Sequence, residues 1–214
     1  MICVCGRFNN HRQKMIGWTE LLSEWPDDVV PRYNVYPSYQ IAAFASPAGQ
    51  AMRWGMVPGW AKTFDSKYAT HNARIETVEA KPAFRNAWRN SQRCLIPMAG
   101  FYERPPQGDR QFHYVTDRDT GGLVVAGLYE AWGDDQFSCT MITKPADEPL
   151  VNIHSRTPVL LTPETAREWM EVEEQEAKQF LYGCKLESLI LYPIDNAVGN
   201  TRNDYPELID PIDL

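Results

Sequence analysis

The chain has 214 residues, with 21 Lys+Arg against 28 Asp+Glu and a formal net charge of −7. At about 150 residues per domain, 1–214 reads as a single domain, long enough to bury a full core without disulfides or a metal. With 43% hydrophobic and 23% charged residues, the composition excludes a disordered tail, a collagen and a disulfide scaffold, and no apolar run approaches the ~18 residues of a membrane span.

The acidic total argues against binding nucleic acid by bulk attraction. The charge is unevenly divided, however. Residues 1–100 carry 12 Lys+Arg and 7 Asp+Glu, whereas residues 101–214 carry 9 and 21. A chain so divided can present one basic face on an acidic body. Five cysteines, Cys3, Cys5, Cys94, Cys139 and Cys184, make an odd number. With no basic segment followed by an apolar stretch at the start, a cytosolic protein with reduced thiols is expected.

In chain order, Met15, Trp18, Leu21, Leu22 and Trp25 have helical spacing across residues 11–25, ended by Pro26. Residues 40–46 and 51–57 read as short strands, and 58–72 as an aromatic, polar, aperiodic loop. Pro82 can start a helix carrying Phe84, Ala87 and Trp88. Strands are then expected at 93–103, 111–116, 122–132, 136–143, 157–161 and 188–194. Thr162-Pro163-Glu164 starts a helix: a capping hydroxyl, Pro at the first position and an acid in the first turn. That helix is expected to run through the acidic stretch 164–176, and Gly183 is a plausible stop for the segment after residue 176. Many strands with few, separated helices predict an α+β fold with mainly antiparallel pairing.

Four segments carry candidate chemistry: Cys5-Gly6-Arg7-Phe8, His71 to Glu76 around Asn72-Ala73-Arg74, Gly100-Phe101-Tyr102-Glu103, and Ile153-His154-Ser155-Arg156-Thr157-Pro158. Singly, each has an ordinary structural explanation. A loop Asn is usually a turn residue, and a Glu after two aromatics is often the polar end of a strand. In this order they resemble the SRAP family (SOS response-associated peptidase), abasic-site processing proteins that crosslink to DNA. The resemblance extends over Arg32-Tyr33-Asn34-Val35 with Pro37, Trp54-Gly55-Met56-Val57-Pro58-Gly59-Trp60, and Ala197-Val198-Gly199-Asn200. It implies a barrel-like core of antiparallel sheets with flanking helices.

The resemblance implies that Cys5 acts as the first residue of a mature chain. An abasic site exposes an aldehyde. An N-terminal cysteine offers an amine and a thiol on adjacent carbons. The amine condenses to a Schiff base and the thiol closes a thiazolidine ring. The α-amine, at a pKa of about 7.7–8.0, and the thiol, at about 8.5, need only modest tuning near pH 7. By the same resemblance Asn72 orients the amine, Glu103 shuttles protons, and His154 protonates the sugar oxygen to open the ring. Arg7, Arg74 and Arg156 are the phosphate contacts. Trp60, Pro37 and Asn34 hold or wedge unpaired bases. The implied partner is single-stranded DNA containing abasic sites. No cofactor, metal or membrane is implied, and a monomer is expected.

Cys5 departs from the family pattern because Met1-Ile2-Cys3-Val4 precedes it. Its nitrogen is then an amide. Translation can begin at Val4 from a GTG codon. Alternatively, Cys5 attacks the Val4–Cys5 bond and the chain trims itself. Otherwise the chain binds DNA without crosslinking. Cys3 lacks the following Gly-Arg-Phe, and two thiols alone are a poor zinc signature. Two other functions fit the same residues: a cysteine peptidase acting on proteins, and a non-covalent single-stranded DNA-binding module.

Overall fold

The structure, a computed structural model, describes residues 5–12, 15–65, 69–108 and 110–213. Cys3 and the segment 1–4 lie outside the described residues. Twelve strands and three short helices follow one another: β1 (Phe8–Asn9), β2 (Gln40–Ala43), β3 (Gln50–Trp54), β4 (Asn72–Arg74), α1 (Arg85–Arg89), β5 (Arg93–Met98), β6 (Gly100–Glu103), β7 (His113–Asp117), β8 (Leu123–Trp132), β9 (Gln136–Pro145), β10 (Arg156–Pro158), β11 (Leu160–Leu161), α2 (Pro163–Glu171), α3 (Glu174–Gly183) and β12 (Leu189–Pro193). The fold is α+β with mostly antiparallel pairing, as the strand pattern predicts.

Two sheets form. The smaller has the order β1-β6-β7-β12, and the larger runs β11-β8-β9-β3-β2, with β5 on β8 and β4 and β10 on β9. The expected barrel-like core is a loose description, because no closed barrel forms. Among the described residues the far ends of the larger sheet are bridged at one point, where Phe44 and Leu95 exchange two backbone hydrogen bonds of 2.9 Å.

The core is layered as the alternation of strand side chains requires. Helices α1–α3 cover one face of the larger sheet, burying Phe84, Trp88, Ile142, Trp169 and Leu181. The two sheets enclose a second cluster that includes Phe8, Trp54, Phe101, Val115, Met141 and Cys5 itself. Tyr102, Tyr114, Ile194, Val198 and Leu208 close the outer face of the smaller sheet.

Two helix expectations are corrected. Among the described residues of 11–25 no α-helix forms, and Ile16–Trp18 make a 3-10 turn. Gly17 explains this: its N–H donates to Thr120 O at 3.1 Å, and a Cβ there would lie 2.7 Å from the Thr120 Cβ. Close approach to that turn overrides the helical spacing. Trp18 and Leu22 are still buried, with Trp18 Nε1 donating to Gly122 O. The acidic stretch also splits. Thr162 caps α2 through a reciprocal pair with Thr165, but α2 ends at Val172, where the buried Arg93 donates to the carbonyls of Trp169 and Val172. A new helix starts at Glu174.

Candidate functional site

Pairing of β1 with β6 builds the centre of the site. Phe8 lies opposite Phe101, and Tyr102 N donates to Arg7 O at 3.1 Å. This register brings the chain before β1 alongside Glu103. The Cys5 backbone N–H donates to Glu103 Oε2 at 2.9 Å, and the Arg104 N–H to Glu103 Oε1 at 3.1 Å. Cys5 is fully buried and has φ 45°, in the left-handed region that a residue with a Cβ rarely occupies. Burial pushes the Glu103 carboxyl up to about 7, against the lowering effect of its two backbone donors.

A second group gathers along β9. Strand β4 pairs with it in parallel, setting Asn72 beside Met141 and Arg74 beside Thr143. Strand β10 pairs with the end of β9, so that Thr157 faces Lys144. Arg156 reaches back to donate to Thr143 O at 2.8 Å and to both Glu76 oxygens, at 2.8 and 3.1 Å. The Arg156 N–H donates to His154 Nδ1 at 3.1 Å. In the neutral ring the proton is therefore on Nε2. Burial lowers the His154 pKa, while the Arg156 backbone contact works against this and the Arg156 charge with it. Trp54 joins the two groups: its ring meets Phe8 edge-on at 5.0 Å and His71 at 5.6 Å, and its Nε1 donates to His71 O. Burial brings the His71 pKa down to about 4.

The structure thus puts Cys5 and Glu103 in contact, with Asn72 on β4 and His154 just before β10, two strands that both pair with β9. The expected DNA-facing residues fall into two classes. Arg74 is exposed and has no ion pair with a described residue, because Glu76 pairs with Arg156 and Glu79 with Lys178. Trp60 is 60% exposed, so it is not core. Pro37 is half-buried beside Ser38, whose φ is 81°. Arg7 is half-buried and donates to Asn34 Oδ1 and Gly199 O. Asn34, by contrast, is buried, and its Nδ2 donates to the carbonyls of Val198, Asn200 and Asn203. Its side chain fixes Arg7 and the chain near 200 and has no free group for a base. Arg156 is already matched by Glu76, so its charge is compensated before any phosphate arrives.

Sequence reasoning gave no site role to His71 or Arg104, although Arg104 follows Glu103 directly, and took Glu76 only as a possible ion-pair partner of Arg74, whereas it pairs with Arg156. Among the described residues no group of three His, Cys, Asp or Glu is placed to hold a metal, and no helix is long and apolar enough to cross a membrane.

A family profile described as SOS response associated peptidase (SRAP) matches residues 4–201. The chain belongs to the SRAP family. Among curated SRAP relatives, the abasic site processing protein YoqW of Bacillus subtilis is 33% identical over 193 residues, covering 84% of this chain and 86% of that protein. The abasic site processing protein YedK of Escherichia coli is 29% identical, covering 98% and 100%. The abasic site processing protein HMCES of Mus musculus is 29% identical, covering 90% of this chain and 69% of that one. A crystal structure of a Bordetella bronchiseptica protein superposes with a TM-score of 0.78 at 26% identity, over 89% of this chain and all, 100%, of that one. One from Bacteroides thetaiotaomicron superposes at 0.81 with 22% identity, over 97% and 100%, and shares the SRAP fold.

Proposed function

We propose that the protein processes abasic sites in single-stranded DNA by linking them covalently to Cys5. One observation carries this reading: the Cys5 nitrogen lies 2.9 Å from a buried carboxyl whose pKa is about 7. The names of the relatives point the same way. Once residues 1–4 are absent, that nitrogen is an α-amine. Glu103, half ionised near neutrality, takes its proton and returns one when water leaves the carbinolamine. The Cys5 thiol then adds across the C=N bond. Overall, aldehyde, amine and thiol give a thiazolidine and one water. Burial lowers the His154 pKa and so favours the neutral ring, in which ring opening draws on the Nε2–H donor.

The same geometry suits removal of residues 1–4. The Cys5 thiol attacks the Val4 carbonyl carbon, and the amide nitrogen leaves as the amine, protonated by Glu103. Water then hydrolyses the thioester. The left-handed backbone at Cys5 adds strain beside the bond that breaks.

Intact mass spectrometry with and without an abasic oligonucleotide tests this on the full chain and on one starting at Cys5. An adduct on the shorter chain is expected, of the combined mass less one water. Its absence from a folded short chain, or its survival in Cys5→Ala, overturns the reading. Loss of residues 1–4 on standing marks self-processing.

A further inference from the structure

We infer that Arg104, together with Arg7, forms a binding site for a phosphodiester of the captured strand. This rests on the proposed function and adds a contact to the same site. Arg104 stands one residue beyond β6. Strand alternation points it to the side of Tyr102, the residue bonded to Arg7, so the two arginines flank Tyr102 on one face. Pairing of β6 with β7 sets Phe112 across from Arg104, and the guanidinium carbon lies 4.7 Å from that ring's centroid. Gly199 completes the link. Its carbonyl accepts from Arg7 Nη2 at 2.9 Å, and a Cβ added to it would lie 3.3 Å from Phe112 Cε2. Arg7, Gly199, Phe112 and Arg104 are therefore contiguous.

Neither arginine has an ion pair with a described residue; the pairs present involve Arg32, Arg53, Lys144, Arg156, Arg167 and Lys178. Arg7 is held by two neutral oxygens, of Asn34 and Gly199. Arg104 is held by an aromatic face. Both are fixed without being neutralised. Glu103, next to Arg104 in the chain, is occupied by two backbone donors and is pushed toward neutrality by burial, which outweighs the lowering effect of the Arg104 charge. The two cations also oppose each other: Arg104, after burial, is the next cause lowering the Arg7 pKa. Two like charges held on the Tyr102 face of β6, at the end of the strand that carries Glu103, lack a counter-ion that a phosphodiester supplies. Arginine's planar fork suits its oxygens.

The test uses Cys5→Ala, so that only non-covalent binding is read, with a 15-nucleotide single strand carrying or lacking one abasic site. Adding Arg104→Gln should weaken binding about tenfold at low salt. The slope of log K against log salt should fall by about 0.7, the share of one phosphate on a single strand. Arg104→Lys should restore the slope. An unchanged slope in a folded Arg104→Gln variant overturns the inference. A second measurement needs no variant: an arginine-specific dicarbonyl reagent is applied to the full chain with and without the oligonucleotide. The DNA should protect the peptide bearing Arg104. Bound DNA with Arg104 still reactive sinks this inference alone, whereas a protein that binds neither oligonucleotide sinks the proposed function with it.

Discussion

The backbone nitrogen of Cys5 sits 2.9 Å from Glu103 Oε2, so any amine formed there is born next to its base. Replacing Glu103 by Gln keeps the shape and one acceptor but removes the proton carrier. In a chain starting at Cys5, the rate of adduct formation should fall by roughly 10²–10⁴. The parent's rate should show a limb near pH 7, where Glu103 titrates. That limb should vanish in the variant. Adduct formation followed on denaturing gels from pH 5 to 9 reads both.

Glu103 and His71 should also shape stability in opposite senses. The Glu103 pKa is raised from 4.5 to about 7, so the folded state holds more protons across that window and stability falls as pH rises through it. The His71 pKa is lowered from 6.5 to about 4, so its contribution is lost as pH falls through that window. Each shift corresponds to something on the order of 3 kcal/mol, and the windows nearly coincide. The parent should therefore vary little in stability between pH 4.5 and 6.5. Glu103→Gln should expose the rise due to His71, and His71→Gln the fall due to Glu103. Urea titrations at half-unit pH steps measure this. A Glu103→Gln curve as flat as the parent's contradicts it.

Much of this was legible in the sequence, and the failures have causes. The strands from β5 onward follow alternation and β-branched runs, which are local signals. The α2 start at Thr162 follows from capping chemistry alone. The break at Val172 does not, because it depends on Arg93, far away in sequence. The stretch 11–25 carries true helical spacing, but Gly17 commits its backbone to Thr120. At the candidate site, motif order singled out Cys5, Asn72, Glu103 and His154, and the structure brings Cys5 and Glu103 into contact. It could not show that Asn34 turns inward onto three carbonyls, or that Glu76 takes Arg156 and leaves Arg74 exposed. Which of several nearby charges pair is decided by register between distant strands.

That pairing separates two arginines that the sequence treats alike. Arg74 is exposed and without an ion pair to a described residue, so Arg74→Gln should lower the salt slope of single-strand binding by about 0.7 and leave stability within about 0.5 kcal/mol. Arg156→Gln should change the slope less, because Glu76 already compensates its charge. It should cost about 1–3 kcal/mol of stability, since Glu76 and Thr143 lose their donors. Salt titrations paired with urea unfolding distinguish the two. Equal slope changes would mean that DNA displaces Glu76 from Arg156.

Gly100 holds β6 close to β7 near Glu103. An added Cβ would lie 2.4 Å from Tyr114 Cζ and 2.5 Å from Val115 O. The carbonyl cannot retreat without moving β7. Gly100→Ala should therefore cost about 1–3 kcal/mol or more and slow adduct formation, because the Glu103 end of β6 moves with it. A variant as stable as the parent would show that β7 gives way freely.

Two tryptophans of one motif should respond in opposite ways. Trp54 is fully buried between Phe8 and His71 and donates to the His71 carbonyl. Trp54→Ala should cost about 3–5 kcal/mol and disturb both halves of the site. Trp60 is 60% exposed, on a segment fixed from below: Trp132 Nε1 donates to Ala61 O at 2.9 Å, and Glu130 accepts from Gly59 N. Most of the Trp60 surface lies in solvent. Trp60→Ala should leave stability within about 0.5 kcal/mol yet weaken single-strand binding by about 1–3 kcal/mol, the worth of one base stacked on an aromatic ring. Unfolding curves and binding isotherms on the same two variants decide the matter. Unchanged DNA affinity in Trp60→Ala would remove this ring from the binding surface.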